Sequence, residues 1–335
     1  MLLIASGCSL HPGRTDLTPA RLPYLPVRHE LTSTPFILQD DYQCGPASLA
    51  MILGYYGRPA TPASLVPWVF TPDAQGSFPA EMDAVTRQQG FLPYPVDRLE
   101  DVLAEVAAGH PVLVLQNLAT DWYTRWHFAV VVGYDLERQE LVLRSGDLER
   151  RLTEFTLFDT TWARGKRWAR VILPPQQLPA TAQPERWLRA AADLEQTGPA
   201  GAALPGFRSA VQRWPDLAPA RFGLATGLLA QGDNAGARAE FEILLRQHPA
   251  LAAGWNNYGY ALQAVNCPAS ARAAVACALT LEPGNPDFAD SSRELHASSE
   301  DAPTCGTPLP CPAGASITPA GSAPAGAHPG ETPRP

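Results

Sequence analysis

Cys44 is the residue of this chain best placed for nucleophilic chemistry. It stands in Gln39-Asp40-Asp41-Tyr42-Gln43-Cys44-Gly45-Pro46-Ala47, just before an apolar run with helical spacing. Pro46 suits the first turn of a helix, where its missing N–H costs nothing. A helix N-terminus offers free N–H donors and partial positive charge, and both lower a thiol pKa and favour the reactive thiolate. Gly45 lets the backbone approach an acyl group closely, and the N–H of Cys44 can serve an oxyanion hole. The same position also suits an inert cysteine, since free cysteine is among the most buried residue types. A matching base tips the balance. Among seven histidines, His127 heads the most regular apolar run of this region, residues 127–134, with Trp126 before it. A strand that opens on histidine and continues apolar puts one imidazole at the rim of the core, where it can take a thiol proton.

The elements that must position these residues read as α+β. Leu49, Ile52, Leu53 and Tyr56 recur at helical spacing over 47–56, and Gly57 supplies a stop. Residues 80–90 and 99–109 read as two further short helices, each closed by a glycine. Then the texture changes. Residues 111–116 and 128–134 are continuous apolar runs, 140–144 alternates, 152–158 follows as a strand, and 135–138 makes a hairpin turn. Helices first and strands second is an α+β order, not an alternating one. This domain spans residues 35–173.

Outside it the chain changes character. Residues 9–34 are aperiodic and contain proline and arginine, as a tether would, and 174–184 is a proline-containing linker. Trp214-Pro215, His248-Pro249 and Glu282-Pro283 follow one another at 34 residues, the tetratricopeptide period. In that frame fall Trp187, Leu194, Ala203 and Phe207, then Leu224, Leu228, Ala237 and Phe241, then Trp255, Gly259, Leu262, Ala271 and Ala278. Large residues stand where neighbouring repeats pack and small ones where paired helices approach. Residues 185–297 are therefore expected to form three tetratricopeptide repeats, an all-α domain, with Pro205 distorting the second helix. From 298 to 335 the chain holds almost no large apolar residue and is expected to be disordered. Cys305 and Cys311 lie in that tail, free to bridge in an oxidising compartment, where their replacement is expected to leave the melting temperature unchanged.

Bulk properties exclude several functions. A net charge of −8 without a long basic run argues against nucleic-acid binding, which needs a positive field. Six cysteines are too few for a disulfide scaffold in 335 residues. They include no C-x-x-C pair and no histidine at zinc spacing, so neither a metal nor another cofactor is expected. Residues 1–8 end in Leu3-Ile4-Ala5-Ser6-Gly7-Cys8, which resembles the lipobox of bacterial lipoproteins, with Cys8 the lipidated residue. The seven residues before Cys8 are too few for a full signal, which is expected to begin upstream of Met1. No segment approaches the ~20 apolar residues of a membrane span. A lipid anchor in the cell envelope is the expectation, on the periplasmic face of the outer membrane.

Taken together, Gln39, the run Cys44-Gly45-Pro46-Ala47-Ser48-Leu49-Ala50-Met51-Ile52-Leu53 and the run from His127 to Tyr134 resemble the bacteriocin-processing, double-glycine cysteine peptidases. The resemblance covers about 35–173 and implies a papain-like fold. It also implies that Gln39 donates to the oxyanion, although the family's glutamine usually stands six residues before the cysteine and Gln39 stands five before. Family members orient the histidine with an aspartate on the next strand. Here Ser145 occupies that place and Asp147 comes two residues later, so both stay candidates. No phosphate-cradling Gly-Lys-Ser loop exists for a transporter's ATPase. The implied activity is hydrolysis of a peptide or protein substrate through a thioester on Cys44, after small residues such as Gly-Gly. The repeats would recruit substrate or a protein partner. The alternative is a non-catalytic binding lipoprotein that acts through its repeats.

Overall fold

A helix buried on every side needs an apolar surround, and the run after Cys44 finds it against a sheet. The computed structural model describes residues 16–39, 43–71, 76–296, 305 and 309–312. In chain order the first elements are β1 (Arg28–Glu30), α1 (Cys44–Tyr55), α2 (Pro62–Val69), α3 (Pro79–Gln88), β2 (Leu92–Val96) and α4 (Leu99–Ala107). There follow β3 (Val112–Asn117), β4 (Trp126–Asp135), β5 (Glu140–Ser145), β6 (Leu148–Glu154), α5 (Phe155–Arg164) and β7 (Ala169–Leu173). The seven strands form one sheet in the order β2-β7-β3-β4-β5-β6, with β1 also on β4, and every pairing is antiparallel. In α1 all residues from Gly45 to Leu53 are buried. In β4 the residues from Phe128 to Val132 are buried too, so both faces of this strand are covered. Each fully buried valine or leucine there contributes roughly 1.5–3 kcal/mol, which holds the register firmly.

Three segments here depart from expectation. The tether expected over 9–34 belongs to the domain from residue 16 on. β1 pairs with β4 through His29 and Tyr134, and Leu17, Leu22 and Leu31 are buried. A three-residue strand is too short to show a period. Gly133 makes room for it, because a Cβ there would lie 2.8 Å from the His29 carbonyl oxygen. The strand expected over 152–158 stops at Glu154, and Phe155, Phe158 and Trp162 then form one buried face of α5. The linker over 174–184 is clamped to the domain. The fully buried Glu105 carboxylate accepts from the amides of Ala180 (3.0 Å) and Thr181 (2.7 Å) and from the Thr181 hydroxyl (2.6 Å). Tyr94 donates its hydroxyl to the Thr181 carbonyl at 3.1 Å and accepts from the Gln183 amide at 3.0 Å.

The chain divides into two compact units, Met1–Gly232 and Asp233–Pro335. The first therefore includes α6 (Pro184–Thr197), α7 (Leu204–Arg213) and α8 (Ala218–Ala230). Trp187 of α6 is fully buried, with its ring 6.5 Å from that of Tyr94 and its indole N–H on the Gly206 carbonyl at 3.0 Å. Pro205 lies in the first turn of α7, where it does not distort the helix.

The second unit holds α9 (Asn234–Gln247), α10 (Ala252–Ala264), α11 (Pro268–Leu281) and α12 (Pro286–His296). Ala271 and Ala278 are fully buried, and a Cβ on Gly259 would lie 2.6 Å from Val275 Cγ2, so α10 and α11 approach closely. The tail corrects another expectation. Cys305 and Cys311 bridge not each other but Cys267 and Cys277, which fixes the described residues 305 and 309–312 to α11 and its cap. The reason is proximity, since two buried thiols on one helix await partners. Cys8 and the rest of the 298–335 tail lie outside the described residues. Among the described residues no helix is long and apolar enough to cross a membrane, and no cluster of three His, Cys, Asp or Glu could hold a metal.

Candidate active site

The start of α1 carries Cys44 as its first residue. The cap residue Gln43 makes no side-chain cap bond, and the first turn holds no acid. The leading amides are thus left for the thiol, and the amides of Gly45 and Cys44 itself interact with it. The Phe128 amide of β4 donates to Cys44 Sγ at 3.5 Å. The thiol therefore lies against the main chain of the residue that follows His127. Gly45 is required by packing as well, since a Cβ there would lie 2.6 Å from Ser77 Oγ.

His127 is the second residue of β4 and half-buried. Its Nε2 lies 2.9 Å from the Ser145 hydroxyl at the end of β5. Val130 pairs with Arg144, so Ser145 falls beside Ala129, on the same side of the sheet as His127. Ser145 is buried, which makes the contact firm. Asp147 is exposed in the turn between β5 and β6, where Gly146 takes a left-handed φ of 64°. Among the described residues it makes no hydrogen bond or ion pair. The structure brings Ser145 to the imidazole and not Asp147, because the tight hairpin turns the aspartate away.

Gln39 completes the group through its neighbours. Its Nε2 donates to Ser48 Oγ at 3.0 Å and to the Phe128 carbonyl at 3.4 Å. Its Oε1 accepts from the Gly146 amide at 2.7 Å. The two N–H groups of Gln39 thus already have acceptors. One of them, the long bond to Phe128, must yield for the side chain to donate to an oxyanion. Ser48, the Phe128 main chain and Gly146 were not singled out in the sequence. A serine inside an otherwise apolar helix run was the available signal for Ser48.

Electrostatics differ from those a bare helix terminus suggests. Burial pushes the Cys44 thiol above its usual value, and the three amides lower it by less. Burial likewise drives the His127 imidazole down to about 4, with Arg151 and Arg125 adding to the effect. Desolvation penalises both charged forms, so the resting pair is neutral thiol and neutral imidazole.

A family model described as Peptidase_C39 like family matches residues 30–147, about a third of the chain. No curated protein matches. Solved structures similar to part of the chain include these two. A Bacillus anthracis protein described as a C39-like peptidase is 18% identical, with a TM-score of 0.39, over 44% of this chain and 97% of that one. The peptidase domain of Streptococcus ComA, described as a bifunctional ABC transporter in a quorum-sensing pathway, is 20% identical, with a TM-score of 0.35, over 42% and 98%. Residues 30–147 thus resemble a C39 peptidase-like domain and are α+β, in a chain whose C-terminal region is helical.

Proposed function

We propose that the chain is a cysteine peptidase in which Cys44 attacks the scissile carbonyl and His127 moves the proton. The observation that carries this reading is the thiol of a helix-leading cysteine at 3.5 Å from the amide that follows a strand-borne histidine. With Nε2–H donated to Ser145, the other ring nitrogen is left to accept the thiol proton. Sulfur then bonds the carbonyl carbon, the C–N bond breaks, and the imidazolium gives its proton to the leaving amine. Water, deprotonated by His127, cleaves the thioester and restores the thiol. The Cys44 amide and Gln39 would bind the oxyanion. Cleavage after small residues such as paired glycines is the specificity the family resemblance implies.

The helical region supports a second part of the reading, a tetratricopeptide array that recruits a protein partner or substrate. Helices α6, α8, α10 and α12 each begin 34 residues after the one before, in step with the proline period. Localisation in the cell envelope is supported by the two disulfides, which persist in oxidising compartments, and by the lipobox-like run ending at Cys8. Mass spectrometry of the native protein would reveal the lipid on Cys8.

Peptide hydrolysis by the purified chain tests the central claim. Cys44→Ala and His127→Ala should each lower kcat by about a thousandfold or more with an unchanged circular dichroism spectrum. Turnover by Cys44→Ala within tenfold of the parent would exclude the nucleophile assignment, and absence of any turnover in the parent would favour a binding role.

A further inference from the structure

Resting on the peptidase reading, we infer that the leaving-group side of the site takes a carboxylate, bound between Arg125 and Arg151. The placement of both residues follows from register. Leu118 donates its amide to the Arg125 carbonyl at 2.9 Å, and the Arg125 amide donates to Asn117 Oδ1 at 2.9 Å. These bonds extend the β3–β4 ladder, which pairs Asn117 with Trp126, by one residue. Arg125 therefore stands two residues before His127 on the same side of the strand, ~7 Å away along the chain. Arg151 lies on β6 opposite Leu143, two residues before Ser145 on β5, and so shares the side on which Ser145 meets His127. Both arginines act electrostatically on His127.

Among the described residues their neighbours are paired and they are not. Arg150 pairs with Glu30, Arg138 with Glu140 and Arg164 with Asp121, while buried Arg144 donates to the Thr34 and Glu149 carbonyls. Arg125 and Arg151 are exposed, and among the described residues neither guanidinium has a hydrogen bond or an ion pair. Two guanidinium groups unpaired among the described residues, beside a base that must become cationic, work against the reaction unless an anion joins them. The chain's own net charge of −8 makes this cationic spot a local exception.

The chemistry says which half of the substrate supplies the anion. The acyl half stays on Cys44, and the amine departs towards the proton donor His127. Groups flanking His127 therefore meet residues after the scissile bond. An arginine fork matches a carboxylate, which would offset the two cations and ease protonation of His127 while substrate is bound. That carboxylate has two sources, an Asp or Glu side chain just past the scissile bond, or the free C-terminus of a short leaving peptide.

Matched peptides with Glu or Gln in the two positions after the scissile bond, each with a free or amidated C-terminus, separate the sources. The wild type should favour a carboxylate by about three- to tenfold in kcat/KM, and the ratio should fall to within about twofold in Arg125→Gln/Arg151→Gln and in high salt. A Glu preference with amidated ends assigns the side chain, and a free-end preference with Gln assigns the terminus. Equal rates for all four peptides would overturn the inference. A second measurement needs no peptidase activity. The rate of Cys44 alkylation by iodoacetate relative to neutral iodoacetamide, mapped by mass spectrometry, should drop about threefold or more in the double variant. An unchanged ratio overturns the carboxylate site. A ratio that drops while no peptide is cleaved supports the anion site and defeats the peptidase reading instead.

Discussion

Ser145 Oγ lies 2.9 Å from His127 Nε2, so the imidazole rests against a buried hydroxyl and not a carboxylate. A hydroxyl fixes the tautomer and the ring plane but brings no negative charge, so the imidazolium gains less stabilisation than beside an aspartate. Ser145→Ala should therefore lower kcat by about tenfold or more, since the ring loses its side-chain partner among the described residues. Asp147→Asn should stay within about twofold, as for an ordinary surface change. The reverse ranking in a steady-state assay would return the orienting role to Asp147.

The neutral resting pair has a pH signature. Alkylation of Cys44 should accelerate about tenfold per pH unit through the neutral range, because only the thiolate reacts and burial holds its pKa up. An ion-paired site would instead show a rate plateau from about pH 5 to 8, and seeing one would refute the neutral pair. Stability carries the same sign. With the folded His127 pKa at about 4 against 6.5, the unfolded chain binds more protons between those values. The contribution of His127 is intact above 6.5 and is lost as pH falls towards 4. Melting temperature should decline over that window, and less steeply in His127→Gln.

Cys44 and His127 could be singled out because each stands at the start of an element with a strong period. Nine buried residues follow Cys44 in α1, and seven follow His127 in β4. The misses have separate physical causes. β2 contains Pro93 and Pro95, which discourage a strand assignment, yet it lies at the sheet edge, where a missing donor is tolerated. The start of α5 is Phe-Thr-Leu-Phe, strand-like in propensity, and only packing of Phe155, Phe158 and Trp162 decides for helix. The thiol pKa was misjudged because a helix terminus shows in sequence while depth of burial does not. Disulfide partners are likewise a matter of distance, and Cys267 to Cys305 spans 38 residues.

Those disulfides should matter to the helical unit. They close loops of 38 and 34 residues, each of which removes unfolded-chain entropy equivalent to about 4 kcal/mol in the chain-entropy model. A reductant should lower the melting temperature of residues 233–335, followed by circular dichroism at 222 nm, by about 10 °C or more. An unchanged transition under full reduction, verified by thiol titration, would show that the tail is not held as described.

Where the chain can be cut is the sharpest test of its division. A boundary in the 174–184 linker predicts that a chain ending at residue 183 folds well. The structure argues otherwise. Glu105 binds the linker with three bonds, Tyr94 binds it at Thr181 and Gln183, and fully buried Trp187 covers Tyr94 from α6. Removing α6 would uncover Tyr94 and β2, and taking away a buried tryptophan costs about 3–5 kcal/mol, a large share of a domain's net stability. A chain ending at Gly232, the limit of the first compact unit, keeps all of these contacts. It should melt cooperatively near the temperature of the corresponding transition in the full chain and retain thiol reactivity at Cys44. The chain ending at residue 183 should melt at least about 10 °C lower or bind a hydrophobic dye. Equal melting temperatures for the two would move the boundary back to the linker.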